Sequence, residues 1–172
     1  NGDKRFWEPL DSGFEKDENG DNIQDKPLSK TWYDKYLAPY IITTKTTVDT
    51  TGKIVSYYPD GSLAMFSGSS IIFYPRAKDF QGAIRDENGE IISHRDLKVS
   101  GKKYFTFYFN PSDNSEKNKF HYNKGVEPYV WSWNGTREDL LTNTSFGCKK
   151  EDSNERAYCT MLIMQNNWTI PD

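Results

Sequence analysis

Apolar and polar positions change their rhythm along this chain. Between Ser29 and Tyr40 the residues Trp32, Tyr33, Tyr36, Leu37 and Tyr40 recur at three- and four-residue spacing, the period of one helical face. Pro39 cannot continue such a helix and biases Ala38 away from helical backbone, so the spacing predicts one amphipathic helix ending near Leu37. From Ile41 to Phe109 the period falls to two, the signature of strands with one face turned inward. Turn signals at Thr51-Gly52, Pro59-Asp60-Gly61, Gly68 and Asn88-Gly89 divide that stretch into hairpins.

The predicted pairings are specific. Asp60-Gly61 joins Ile54–Tyr58 to Ser62–Phe66, with Ser70–Tyr74 following, and Asn88-Gly89 sets Ala83–Asp86 against Ile91–His94 through a two-residue type I′ turn. In Tyr104–Phe109 the residues Phe105, Phe107 and Phe109 share one face and Tyr104, Thr106 and Tyr108 the other; the Phe face is expected to meet the core. A last helix is expected after the capping residues Asp152-Ser153-Asn154, carrying Ala157, Tyr158, Met161, Leu162 and Met164 and ending at Asn166-Asn167. The organisation read from this is a polar, extended lead-in over residues 1–28 and one globular domain over 29–172, with a long excursion at 110–147 that contains at most short elements.

Composition sharpens the picture in three places. Five Trp, eleven Tyr and ten Phe make the core aromatic, which suits pleated, half-buried surfaces. A net charge of −3 offers no cationic footprint, so nucleic acid is not an expected partner. No apolar run reaches the roughly 18 residues of a membrane span, and Asn1-Gly2-Asp3-Lys4-Arg5 reads neither as a signal peptide nor as a span; a start without Met and an end at Pro171-Asp172 make a processed or trimmed ectodomain the expectation.

The two cysteines, Cys148 and Cys159, are close enough in sequence to close a small loop; a bridge there would remove about 3 kcal/mol of unfolded-chain freedom and place the protein outside the cytoplasm. The alternatives are two free thiols or a partial metal site, but two cysteines with no nearby His cannot complete a zinc tetrahedron.

Candidate chemistry is sparse. His94 and His121 belong to no recognisable nucleophile or metal motif and read as ordinary residues. Asp17–Asp21 and Asp86–Glu90 space oxygen ligands as calcium loops do, yet a loop counted from Asp17 has Asn22 and Leu28 where glycine and glutamate belong. Tyr129, Trp131 and Trp133 form either an aromatic platform for a sugar ring or packing against the sheet; as a strand, the segment would point both Trp to one face. The chain therefore reads as a non-enzyme with no cofactor, metal or catalytic residue.

Several segments carry a likeness. They are Trp32-Tyr33-Asp34-Lys35-Tyr36-Leu37-Ala38-Pro39-Tyr40, the Pro59-Asp60-Gly61-Ser62 turn, the Asn88-Gly89 hairpin, Gly101-Lys102-Lys103-Tyr104-Phe105-Thr106-Phe107, Cys148, and the tail Tyr158-Cys159-Thr160-Met161-Leu162-Ile163-Met164-Gln165-Asn166-Asn167-Trp168-Thr169-Ile170-Pro171-Asp172. The order resembles the globular part of bacterial type IV pilin-like and type II secretion pseudopilin proteins. That resemblance implies an α+β domain in which an N-terminal helix packs on an antiparallel sheet and a disulfide staples the C-terminal helix.

It further implies a filament subunit whose partners are other pilin or pseudopilin subunits, anchored in the inner membrane through a hydrophobic helix absent here and then displayed in the periplasm or at the cell surface. The alternative is a secreted adhesin that takes a glycan on Tyr129, Trp131 and Trp133. Lys103 stands where related sequences often carry Asp, so no calcium site is carried over.

Overall fold

The computed structural model describes residues 14–49, 51–67, 70–82, 84–89, 91–93, 95–110, 125–149, 156–167 and 169. Its centre is a six-stranded antiparallel sheet built from β3 (Lys45–Val48), β4 (Ile54–Tyr57), β5 (Leu63–Ser67), β6 (Ser70–Tyr74), β9 (Phe105–Asn110) and β10 (Gly125–Pro128), in the order β10-β9-β6-β5-β4-β3. Two small hairpins flank it, β1 (Phe14–Lys16) with β2 (Asn22–Pro27) and β7 (Ile84–Arg85) with β8 (Ile91–Ser93). The helices are short: α1 (Leu28–Tyr36), α2 (Arg137–Thr142) and α3 (Cys159–Gln165) have nine, six and seven residues.

This corrects the expected α+β layout of an N-terminal helix packed on a sheet in the pilin manner. The molecule is β-rich, and its helices are minor attachments. Pro39 and the 3₁₀ turn at Ala38–Tyr40 stop α1 early, so α1 covers one corner of the sheet, where Trp32 and Tyr33 are buried with Ile54, Ala64 and Phe66. Two polar contacts fix it there: Ser29 Oγ donates to the Gly52 carbonyl at 2.8 Å, and the Tyr33 hydroxyl pairs with Ser56 Oγ at 2.7 Å.

The hairpins use a different turn from the expected type I′. Gly61 and Gly89 have φ of +84° and +83°, while Asn88 is not in the left-handed region, so the tight turns are Tyr58–Gly61 and Asp86–Gly89, each closed by the glycine amide on the first residue's carbonyl. A type I turn followed by one left-handed residue needs glycine only at the last place. The same closure recurs from Asp17 to Gly20 and from Asp49 to Gly52. At Asp17 and Asp86 the carboxylate oxygens accept turn amides, as capping side chains of tight turns do.

The two faces of β9 are also reversed from expectation. Tyr104, Thr106 and Tyr108 are buried, whereas Phe105 and Phe107 are only half-buried. The cause lies far along the chain: α3 packs on the Tyr/Thr face, where Thr160 Oγ1 accepts the Thr106 amide at 2.7 Å. Tyr108 there joins Val130, Trp133, Leu140, Tyr158, Met161 and Leu162 in one cluster. The expected cap at Asp152–Asn154 and the side chain of Phe109 lie outside the described residues; Asn167, at φ +53°, follows the last turn of α3 as expected.

Candidate functional site

Among the described residues, the reversal of β9 leaves an apolar sheet surface without a full cover. Antiparallel register lines up Ile54, Phe66, Ile71 and Phe107 across β4, β5, β6 and β9, and beside them Ala64, Phe73 and Phe105. Val126 of β10 extends this face, standing opposite Phe109 in the ladder. Helix α1 covers the Ile54 end. Past its C-terminus, Leu37 and Ile41 form a rim, and between that rim and Val126 opens a groove of about 510 Å³ floored by Phe66, Ile71, Phe73 and Phe107. No charged side chain lines it among the described residues; the single hydroxyl is that of Tyr58.

Desolvation, followed by neighbouring Tyr33 and Asp60, pushes the Tyr58 phenol from 10.0 up to about 12. The folded protein thus holds this proton more tightly than the unfolded chain does. The resulting contribution to stability is intact below pH 10 and is lost as pH rises through about 12. The expected result is a phenolate absorbance step near pH 12 that is missing from Tyr58→Phe. A Tyr58 signal already complete by pH 10 would show the ring open to solvent.

A second concavity, lined by Tyr74, Asp79, Arg95, Asp96 and Lys103, is polar but holds only about 10 Å³, room for one water and no substrate. Asp79 in it is already engaged: Arg76, from outside the concavity, donates its Nε to that carboxylate at 2.8 Å, and Lys103 Nζ lies 4.0 Å from it.

Of the two readings open for Tyr129, Trp131 and Trp133, platform or packing, the structure places two of the three rings in packed positions. Trp133 is 7% exposed and donates its indole N–H to the Thr136 carbonyl, while Tyr129 packs between Tyr108 and Phe146 at ring distances of 5.3 and 5.2 Å. Trp131 alone is exposed, at 43%. Ser132, at φ +60°, breaks the strand between the two tryptophans, so they do not share a face. His94 and His121 lie outside the described residues.

Cys148 and Cys159 are joined, with Cα atoms 4.8 Å apart, tying the segment after α2 to the first turn of α3. Such a bridge points to an extracellular or periplasmic setting. Among the described residues no helix is long and apolar enough to cross a membrane.

The groove was missed by sequence reasoning because its floor was assigned to the core. The signal was present in the all-Phe face of β9, but Val126 sits in a strand that Glu127 and Pro128 disguise. A family model described as "Family of unknown function (DUF6613)" matches residues 1–172. No curated protein and no solved structure matches the chain.

Proposed function

We propose that this chain, which belongs to the DUF6613 family, works by assembly, its groove seating an apolar helix of a neighbouring filament subunit. The observation that carries the reading is the apolar groove of about 510 Å³ on the incompletely covered sheet face. Apolar helices bind such surfaces by laying a stripe of side chains into a hydrophobic trough, and a floor of phenylalanine and isoleucine rewards aliphatic anchors without demanding a polar partner. A lining without charge is poorly suited to a sugar or a phosphate, which need placed donors and acceptors. The pilin-type resemblance implies the same kind of role, association through apolar helices, although the fold it implies is corrected above; in that setting the globule faces the periplasm or the cell surface.

The volume also lies within the range of small-molecule sites, so a free acyl chain is the competing occupant. Calorimetric titration separates the two. A lysine-tagged, leucine-rich helical peptide is expected to bind saturably, and Ile71→Glu is expected to weaken it by about tenfold or more, because a carboxylate would have to be desolvated under the peptide. Circular dichroism of Ile71→Glu checks that the sheet is intact. Saturable binding of a fatty acid with no response to the peptide would overturn the assembly reading.

A further inference from the structure

The groove is one contact surface; the edge of the sheet on the far side is another, and it stands independently of the groove. Strand β3 ends the sheet, and among the described residues no strand pairs with its outer side. Its register with β4 pairs Lys45 with Tyr57, Thr46 with Ser56, Thr47 with Val55 and Val48 with Ile54. One residue further on, the Asp49 amide donates to the Lys53 carbonyl at 2.9 Å. Bonded pairs alternate along an antiparallel ladder, so Thr47 turns its peptide groups inward to Val55, and Thr46 and Val48 direct theirs out from the edge.

The opposite edge is better guarded. In β10, Pro128 carries no amide hydrogen. Strand β3 has no proline, and Lys45, the residue type that commonly guards an edge, lies back over the Tyr57 ring at 5.7 Å. Apolar side chains are exposed in the segment leading into β3 and at its last residue: Tyr40 is 81%, Ile42 82% and Val48 36% exposed.

We infer that β3 is a pairing edge for a second copy of this chain, the two β3 strands running antiparallel about a dyad at Thr47. Only one register over the described residues fits every group. With Thr47 opposite Thr47, Thr46 of each copy faces Val48 of the other, so the outward amides and carbonyls of both residues are bonded reciprocally. The same register sets Lys45 of each copy opposite Asp49 of the other, two attractive charge pairs generated by the symmetry. Asp49 is fixed at the end of β3 by its own turn, where its Oδ1 accepts the Thr51 amide, the Thr51 hydroxyl and the Lys53 amide at 2.9, 2.8 and 2.9 Å. A register centred on Thr46 would instead require the Thr44 amide, which already donates to the Tyr57 carbonyl.

Sedimentation velocity on the full chain tests the association, and cysteine cross-linking tests its register. Thr47→Cys places two thiols across a non-bonded antiparallel pair whose Cα atoms stand about 4.5 Å apart, a span that a disulfide bridges. It is expected to form a covalent dimer at least about tenfold faster than Thr46→Cys, which would face Val48. Thr46→Pro deletes an outward amide while sparing the β4 ladder and is expected to weaken dimerisation about tenfold, two hydrogen bonds being lost per dimer. Lys45→Glu, which faces Asp49, is expected to weaken it as well, with circular dichroism confirming both folds. A monomer at all concentrations up to about 0.1 mM would overturn the proposal. So would a dimer that is indifferent to Thr46→Pro and cross-links equally through Thr46→Cys, since that dimer would use another face.

Discussion

Gly147→Ala is expected to be among the most damaging single substitutions in this protein, lowering its stability by about 4 kcal/mol or preventing α2 from closing. A Cβ at Gly147 would lie 2.6 Å from both the Asn143 amide nitrogen and its carbonyl oxygen, and 2.8 Å from the Leu141 carbonyl oxygen. All three neighbours are backbone, so none can swing aside as a side-chain tip would. They are also committed: the chain folds back over the end of α2, with the amides of Gly147, Cys148 and Lys149 donating to the carbonyls of Asn143, Leu140 and Leu141. Gly20 gives the contrast. It has φ +86° and nothing near its would-be Cβ, so Gly20→Ala is expected to cost only about 1–2 kcal/mol of left-handed strain. Urea denaturation of the two variants reads the difference directly, and equal midpoints would refute the steric argument.

Much of the sheet could be read in advance because its causes are local. The alternation in Ile54–Tyr57, Leu63–Ser67 and Ser70–Tyr74, punctuated by Asp60-Gly61, yields the β4-β5-β6 meander, and its register follows from the turns. Helix α1 ends where Pro39 requires. What could not be read depends on distant partners. Both faces of Tyr104–Phe109 carry aromatic rings, so composition does not choose between them; the choice is made by Thr160 and Met161, more than fifty residues later, which bring α3 onto the tyrosine side. β10 was invisible for a related reason: Gly125-Val126-Glu127-Pro128 has weak strand propensity and forms because β9 offers it an edge.

The candidate site inherits this asymmetry. Leu37 was legible as the end of a helix, and Ile41 and Phe107 as positions in the strand stretch, but a groove exists only where an apolar face is left partly uncovered, and that is a property of the packing. The tryptophans show the converse. Trp131 and Trp133 alternate in sequence as a platform would, yet one left-handed residue, Ser132, turns Trp133 into the core and leaves Trp131 outside. Backbone reversal at a non-glycine residue has no reliable sequence signal.

Loss of the Cys148–Cys159 bridge is expected to lower stability by about 3 kcal/mol, the chain-entropy value for a loop of this length. The effect should be uneven across the molecule. Cys159 is fully buried, and Gly101 approaches it so closely that a Cβ there would meet the Cys159 Cβ at 2.8 Å, so the bridge sits inside packed structure. It joins the segment after α2 to α3, and those two helices, with the Tyr158 cap of α3, carry Leu140, Tyr158, Met161 and Leu162 of one cluster, whereas Trp32, Tyr33, Ile54 and Phe66 pack on the other face of the sheet. In Cys148→Ala/Cys159→Ala, hydrogen exchange is therefore expected to accelerate first in α2, α3 and the Thr106 amide, which depends on Thr160, while β4 and β5 stay protected. The groove floor should persist with them, because Phe66, Ile71 and Phe73 belong to the meander. Uniform loss of protection across both faces would instead mean that the two clusters unfold as one cooperative unit. The bridge would then act on the whole domain, and a bridge-free variant could not be used to separate assembly through the groove from folding.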